Sequence, residues 1–585
     1  MEIFPTPQAI NRQPVKGWLS RLTVADALLG IVLLGAAILR LANLGHLPLS
    51  DAEAIHALDV FRFWQPETAV LAPGSPAYFS LTGLLTQLFG FDDGMMRLVP
   101  ALFGLGLVYL PWLLRHRLGT QGALVTAVLI AISPLNTIAA RTAGGDSIAL
   151  FALLLLFIAF IRYQETAATR WLNTLFVALG LGLASSALFY SGLVTLLLAW
   201  LVHSRLGLSL FVAGWQVNPT ETNWRKGTAV GFTIFLLLSS FFLLMPTGLG
   251  ASAGLVGDWF QQFGGTLSIN SLLAFVRYEP VLVLLGLIGL VWAIVRGQPL
   301  ALFAVYWLSA ALILLLLQPN FMVNALLLTL PTTLLAGIII NAAWRRRWDW
   351  FSGVAAAASL GGAFVILVNL ARLGRAAQTN PQEGTIYLII ILLTILFVGL
   401  VLFFAASEEA TAVSQGILLA ILGFFIFYQW GTGWWMGQQA ANDPRERWVQ
   451  TGTDLAIREL DDTVQTLSRQ LANSETQLEI ATTLDIPALT WYLREYPQLE
   501  LLETLPLAPT QQVVITARNP ESRLAAGYSG TDFAVRRLEP LPPEERSARA
   551  TYDTFRWWLF HDSTAVTPEE WAIVWVRADL INGQP

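Results

Sequence analysis

Asp51, Glu53 and His56 fall together in the stretch Pro48-Leu49-Ser50-Asp51-Ala52-Glu53-Ala54-Ile55-His56-Ala57-Leu58, just after an apolar run from Val24 to about Ala42. Two carboxylates and an imidazole so close are the groups of general acid–base chemistry, able to take a proton from an acceptor and hold charge beside it. As a helix, the stretch would step Glu53, His56 and Asp59 along one face at i, i+3 spacing. Two other polar groups stand at comparable points. Arg141 precedes Gly144-Gly145-Asp146, and Arg277-Tyr278-Glu279-Pro280 stands directly before another apolar run. Asp146 is placed where a helix dipole favours negative charge. Cations such as Arg141 and Arg277 suit a leaving phosphate. Each residue also has a plainer reading: a helix cap for the acids, an interfacial anchor for the arginines, packing for His56.

The elements that must hold these residues are membrane helices. Of 585 residues, 55% are hydrophobic and 12% charged, about half the charge of an ordinary soluble domain. Carboxylates near membrane depth are costly and tend to line polar cavities. Apolar runs predict about thirteen spans, roughly 24–42, 96–114, 120–140, 147–162, 171–187, 190–203, 229–246, 281–295, 299–317, 321–341, 350–371, 385–405 and 412–433. Ser185-Ser186 and Ser191-Gly192 interrupt the pair at 171–203. Ala77–Phe89 is too short to cross and suits a re-entrant or interfacial helix. Arg12, Lys16 and Arg21 precede the first run, which reads as a retained span rather than a signal peptide.

Loop charges give an orientation. With the N-terminal segment 1–23 cytoplasmic, the inner loops carry Arg115/Arg117, Arg162/Arg170, Arg205/Arg225/Lys226, Arg296 and Arg345/Arg346/Arg347. The outer loops are acidic or mixed, with Asp51, Glu53, Asp92 and Asp93, then Arg141 and Asp146, then Asp258 and Glu279; Arg372 and Arg375 outside and Glu408/Glu409 inside are exceptions. The expected organisation is a transmembrane domain over 24–436 with a first outer loop at 45–95, then a soluble extracytoplasmic α/β domain over 437–585. Residues 1–439 hold 21 Lys+Arg against 17 Asp+Glu, and 440–585 hold 13 against 22, so the last part is acidic. Ile457, Leu460, Val464, Leu467 and Leu471 mark an amphipathic helix with Thr453 as its cap. Short β-rich runs follow at Leu478–Thr482, Gln512–Thr516, Phe533–Arg537 and Ala572–Arg577. The localisation expected is multi-pass in the plasma membrane. Nucleic acid is not a partner this charge pattern fits. The absence of cysteine excludes disulfides and thiolate metal sites.

Several segments resemble a known family. Ile38-Leu39-Arg40-Leu41-Ala42-Asn43-Leu44-Gly45-His46-Leu47-Pro48-Leu49 followed by Asp51-Ala52-Glu53-Ala54 is similar to the opening of family 39 glycosyltransferases, the protein O-mannosyltransferases and bacterial aminoarabinose transferases of the GT-C superfamily. Met96-Arg97-Leu98-Val99-Pro100-Ala101-Leu102-Phe103-Gly104 and Ala131-Ile132-Ser133-Pro134-Leu135, with Ala140-Arg141 and Gly145-Asp146, continue the likeness. Ala52–Ala57, Tyr278-Glu279-Pro280, Asp443-Pro444-Arg445-Glu446, Trp491-Tyr492-Leu493-Arg494 and Arg556-Trp557-Trp558-Leu559 resemble a subgroup associated with archaeal N-glycosylation and flippase activity. The resemblance implies a GT-C fold and inverting transfer of a sugar from a polyprenyl phosphate to a glycan, lipid or protein acceptor on the non-cytoplasmic face. It implies Asp51 as the base, Glu53 and Asp146 in support, and Arg141 facing the donor phosphate; His56, Arg277, Tyr278 and Glu279 are the further substrate-binding candidates. Two positions depart from the pattern. Ala52 stands where the family has Asp, with Asp51 one place early, and Gln318-Pro319-Asn320-Phe321-Met322 lacks the subgroup's Lys.

Two other readings follow from the same residues: a degenerate relative that binds lipid-linked saccharide or assists its flipping or assembly, and a transporter. The absence of two matching halves and the large outer domain argue against the last. Trp491, Tyr492, Trp557, Trp558, Trp571 and Trp575 suit either sugar stacking or core packing. No metal ligand set is assigned; a divalent cation stays open as a cofactor.

Overall fold

The computed structural model describes residues 23–65, 71–206, 224–264, 268–319, 322–344, 350–376, 410–446, 451–504, 509–518, 527–540, 557–561 and 566–581, with a few positions between them. Arg12, Lys16, Arg21, Asn320, Phe321, Arg345–Arg347, Glu408, Glu409, Arg556 and most of the span expected at 385–405 lie outside the described residues.

The chain is a helical membrane protein with a sheet domain at its C-terminal end. Helix α1 spans Val24–Leu41 behind a capping box of Thr23 and Asp26. Helix α2 spans Asp51–Phe63, α3 spans Pro76–Phe89 and α4 spans Asp93–Tyr109. The 14 residues of α3 keep it short of a span, as its length predicts.

Among the described residues, seven helices are long and apolar enough to cross a membrane, or nine if two bent pairs each count as one. The expected count of thirteen is therefore not reproduced by helix length, and proline and loop chemistry explain part of the difference. Pro134 and Pro280 open new helices because each lacks the N–H that would continue the one before. The run at 120–140 thus breaks into Thr120–Ile132 and Pro134–Arg141, bent by 59°; the run at 281–295 follows Asn270–Tyr278 after a 101° bend. The pair at 171–203 forms helices Thr169–Leu183 and Ala187–Arg205, parted at Ser185-Ser186, while Ser191-Gly192 lies inside the second. The run at 229–246 gives a helix of only 16 residues, Trp224–Ser239.

The C-terminal part carries a six-stranded sheet among the described residues, in the order β1-β5-β6-β4-β2-β3. Its strands are β1 Gly452–Thr453, β2 Ile480–Thr482, β3 Leu499–Leu501, β4 Val513–Ala517, β5 Tyr528–Arg537 and β6 Glu569–Arg577. β2 pairs in parallel with β3 and β4, and the remaining ladders are antiparallel. The helix Ala456–Leu471 buries Ile457, Leu460 and Val464, the stripe its spacing predicts. Thr453 does not cap it. Thr453 is drawn into β1 and donates to the Leu49 carbonyl, while Asp454 Oδ1 accepts from Ala456 N at 2.9 Å. Val535 is an extra residue in β5 between positions paired to Trp571 and Glu570. Such a bulge re-aims the side chain beside it, here Arg536.

Candidate functional site

The site is assembled from loops that arginines tie down. Helix α1 ends at Leu41 with carbonyls that have no partner inside the helix. Arg141 supplies one: Nη1 donates to the Leu39, Arg40 and Ala42 carbonyls at 3.2, 3.1 and 2.8 Å, Nη2 to Asn43 O at 3.2 Å and Nε to Gly437 O at 2.8 Å. Arg40, fully buried, does the same for the broken span at Ser133, donating to the Ile130 and Ala131 carbonyls at 2.9 Å.

Arg97 fixes the next stretch. It donates to the carbonyls of Leu44, Leu47 and Pro48 and forms a two-pronged pair with Glu53, Nε to Oε1 and Nη2 to Oε2, both at 2.7 Å. Glu53 also closes the capping box with Ser50 and accepts from Ala143 N at 2.9 Å. Burial pushes the Glu53 carboxyl up, but the Arg97 charge and its hydrogen bonds outweigh that and hold its pKa below the ordinary value. Glu53 is thus a charged structural knot, with two hydrogen bonds to Oε1 and three to Oε2, against one partner on each oxygen of Asp51. As a proton acceptor it is saturated.

Asp51 has a different neighbour. Its Oδ2 is 2.7 Å from Arg536 Nη2 on β5, and its Oδ1 accepts from Ala488 N at 3.1 Å in the first turn of helix Pro487–Tyr492. The sheet domain grips the same loop elsewhere. Arg458 donates to the Gly45 and His46 carbonyls, and Asp93 receives Arg458 Nη2, Trp491 Nε1 and Tyr492 Oη at 2.6–2.8 Å. Trp491 and Tyr492 are therefore docking residues with their polar tips satisfied by Asp93.

Two cavities adjoin at Ala52 and Thr142, which line both. The first, of about 340 Å³, is walled by Asp51, Glu53, Arg97, Arg141 and Asn442. The second, of about 570 Å³, is walled by His56, Ser75, Asp146, Ser186, Asp258 and Gln262. Gly145 makes the second wall possible: a Cβ there would run into the Ser185 carbonyl and the Ser75 hydroxyl. His56 packs its edge on Tyr78, with ring centroids 5.8 Å apart. Burial holds the imidazole's pKa below its usual value against the opposing pull of Glu53, so it is neutral at pH 7.

The charges of the two cavities differ. In the first, Glu53 neutralises Arg97, while Arg141 is bonded only to neutral carbonyls and has no carboxylate partner among the described residues. In the second, Asp146 faces Ser186 and has no cationic partner among the described residues. A buried guanidinium and a half-buried carboxyl, five positions apart in sequence, thus look into neighbouring spaces.

Of the residues the sequence picks out, Asp51, Glu53, Arg141, His56 and Asp146 come together here. Arg277, Tyr278 and Glu279 line neither cavity. Glu279 is fully buried and joins the two broken spans, accepting from Ser133 Oγ, Leu135 N and Gln429 Nε2. Tyr278 donates to the Glu446 carbonyl, and Arg277 lies over the Trp557 ring, 5.9 Å from its centroid. Asp59 lines neither cavity. Gln318, at the place of the missing Lys, is buried and accepts from Ser191 and Asn324 at 2.9 Å. Spacing did not point to Arg97 as the partner of Glu53, nor to Arg536, Asp258 or Gln262; Arg97 sits in the quoted Met96–Gly104 segment, which was the one available signal.

Residues 73–215 match the family model described as dolichyl-phosphate-mannose-protein mannosyltransferase. No curated protein sequence matches the chain. Among solved structures, ArnT from Cupriavidus metallidurans in the apo state aligns at TM-score 0.54 and 13% identity, over 95% of this chain and 99% of that one. The same protein bound to undecaprenyl phosphate gives 0.55 and 15%, over 94% and 97%. The Archaeoglobus fulgidus oligosaccharyltransferase aligns over 83% of this chain and 65% of its own, at TM-score 0.44 and 12% identity. At these identities the likeness is one of architecture. The chain has the GT-C membrane fold.

Proposed function

We propose that this GT-C-fold membrane protein transfers a sugar from a polyprenyl-phosphate donor to an acceptor, with the sugar crossing from the first cavity to the second at Ala52 and Thr142. The observation that carries this reading is the charge of Arg141. A buried guanidinium without a carboxylate is stabilised by an anion, and a lipid-linked phosphate is the anion a membrane cavity of this fold would receive. That ArnT, of the same fold, was solved with undecaprenyl phosphate bound supports the choice of donor class.

In this reading Asp51, on the wall of the first cavity beside Ala52, takes the acceptor's proton as the sugar's bond to phosphate breaks. Glu53 holds Arg97 and the loop in place, and Asp146 with His56 receives the acceptor. Attack opposite the leaving phosphate inverts the anomeric carbon. We place the reaction and the sheet domain on the non-cytoplasmic face, a side that the distribution of Lys and Arg among the loops supports. A divalent cation is not needed by any step assigned to these residues. The test is transfer from a polyprenyl-phosphate sugar by the purified protein in liposomes. Asp51→Asn should abolish transfer with the thermal midpoint retained; undiminished transfer would remove Asp51 from the role.

A second reading has its own observation. Ala52, which lines both cavities, is the position where the family carries its carboxylate, and Asp51 is turned to Arg536 instead. A protein so built could hold lipid-linked saccharide for assembly or flipping without cleaving it. Saturable binding of polyprenyl phosphate with no transfer to any acceptor would favour that reading.

A further inference from the structure

Two helices that begin at the site meet again at their far ends, in a basic cluster. The span Asp93–Leu118 starts where Asp93 docks the sheet domain; its 26 residues, at about 1.5 Å each, carry it roughly 39 Å, the thickness of a bilayer with its headgroups. The helix Asp146–Thr166 starts at the second cavity. At the far ends, Glu165 accepts from Arg117 Nε and lies 2.6 Å from His116 Nε2 and 3.7 Å from Arg162 Nη1. The Arg162 guanidinium lies over the Trp171 ring, 5.3 Å from its centroid, and Arg170 shares that ring at 5.8 Å. Arg115 lies over Trp112 at 4.8 Å.

Positive charge is in excess here. With His116 counted as neutral, four guanidiniums surround one carboxylate among the described residues. Asp26, whose charge Arg115 also feels, is committed to Thr23 in the capping box of α1. Arg115 and Arg170 are exposed and have no carboxylate within ion-pair distance among the described residues. Trp224 packs edge-on against Tyr163, with ring centroids 6.2 Å apart, and is followed by the exposed Arg225 and Lys226. A guanidinium lying on an indole face is held in place while its N–H edges stay open to an oxygen anion. Tryptophans at the ends of spans sit at headgroup level. The cations stacked on them are therefore set at the depth of lipid phosphates.

We propose that this surface binds the headgroup of an anionic phospholipid in the leaflet at this end, its phosphate taken by Arg170 beside Trp171, with Arg115 and the neighbouring cations adding attraction. Basic surfaces between the ends of membrane helices recognise such headgroups through this surplus of charge. The site is separate from the donor site at Arg141, which lies at the other end of the same helices, and it does not rest on the transferase reading. A bound lipid ties the turn after α4 to the turn at 166–169. A zwitterionic headgroup is selected against, because it brings a cation of its own to a surface already in positive excess.

Native mass spectrometry of the full-length protein, loaded with phosphatidylglycerol or with phosphatidylcholine of the same acyl chains, tests this. Phosphatidylglycerol should bind at least about fivefold more tightly, and Arg170→Ala and Arg115→Ala should each weaken it by about fivefold, the scale of one basic residue at an anionic surface. Both positions are exposed, so the thermal midpoint should hold. Arg296→Ala removes an exposed arginine at the end of another span and should change nothing. Undecaprenyl-phosphate occupancy should be the same in all these proteins, because that lipid is assigned to the opposite end. Equal binding of the two phospholipids overturns the proposal, as does an Arg296→Ala loss as large as that of Arg170→Ala, which would reduce the effect to general charge attraction. Parallel loss of undecaprenyl phosphate in Arg170→Ala would also overturn it. So would complete displacement of phosphatidylglycerol by millimolar glycerol phosphate, which would make this a site for soluble phosphate.

Discussion

Asp51 Oδ2 lies 2.7 Å from Arg536 Nη2, so the loop after the first membrane helix and the fifth strand of the sheet domain share one ion pair. The pair is partly exposed, with side chains 18% and 20% accessible, and its Coulomb term alone is modest. Its value is in placement: with Ala488 N on the other oxygen, the carboxylate is held by two groups of the sheet domain. Arg536→Ala should therefore lower the transfer rate by about 10- to 100-fold, the cost of a misplaced group of this kind, with little change in donor KM. Arg536→Lys should recover part of the rate. Equal rates in all three proteins would show that the pair only docks the domain.

Arg141 should be the residue on which donor phosphate binding depends. Its guanidinium spans five carbonyls, a reach that an ammonium on a single stem cannot copy. Arg141→Lys should weaken undecaprenyl-phosphate binding by about tenfold or more and also lower the thermal midpoint, because the end of α1 loses its partners. Native mass spectrometry of the lipid-bound fraction reads the first effect and a thermal ramp the second. Unchanged lipid occupancy would place the phosphate elsewhere.

The Glu53–Arg97 pair sets a pH limit. Its carboxyl is held below the ordinary value when folded, so its stabilisation is full above the unfolded pKa and is lost as pH falls through the folded one. Thermal midpoints should drop on the acid side in the native chain. Glu53→Gln should cost about 3–5 kcal/mol at pH 7, because it strands a buried guanidinium, and should flatten the acid limb of the curve. A midpoint unchanged by the substitution would mean that Arg97 finds another anion.

Orientation can be read directly, since the chain contains no cysteine. His116, Arg117 and Glu165 cluster at one end, where Thr166 is exposed, and Asp462 is exposed on the sheet domain. Single cysteines at Thr166 and Asp462 should react with an impermeant maleimide from opposite sides of the membrane, the second from outside in whole cells. Labelling of Thr166→Cys from outside would reverse the topology.

Much of this site was legible in the sequence, and the residues show why part was not. Asp51, Glu53, Arg141 and Asp146 stand at helix ends beside apolar runs, with His56 a turn further into its helix, and the structure brings all five to the walls of two adjoining cavities. Glu279 gave the same signal yet serves a different purpose, because Pro134 and Pro280 both break spans and their exposed backbone and hydroxyl groups needed a common acceptor. Arg97 and Arg536 could not be read from spacing. Each finds its carboxylate through tertiary packing, and Arg536 does so next to Val535, the extra residue of its strand. The expected capping by Thr453 failed for a related reason: pairing with β5 and the Leu49 carbonyl claimed that residue first. Among the described residues the thirteen expected spans are not all seen as long helices, in part because some are broken or shortened, which hydropathy alone does not register.

Arg141 lines the first space and Asp146 the second, and neither has an oppositely charged partner among the described residues. The guanidinium is a fixed positive charge on one side of the Ala52–Thr142 boundary. In the proposed transfer, the departing phosphate gathers negative charge in the first cavity, beside it. That field is in place before substrate arrives, so little of the protein has to reorganise as the bond breaks. A neutral group in place of the guanidinium would leave the same walls without it.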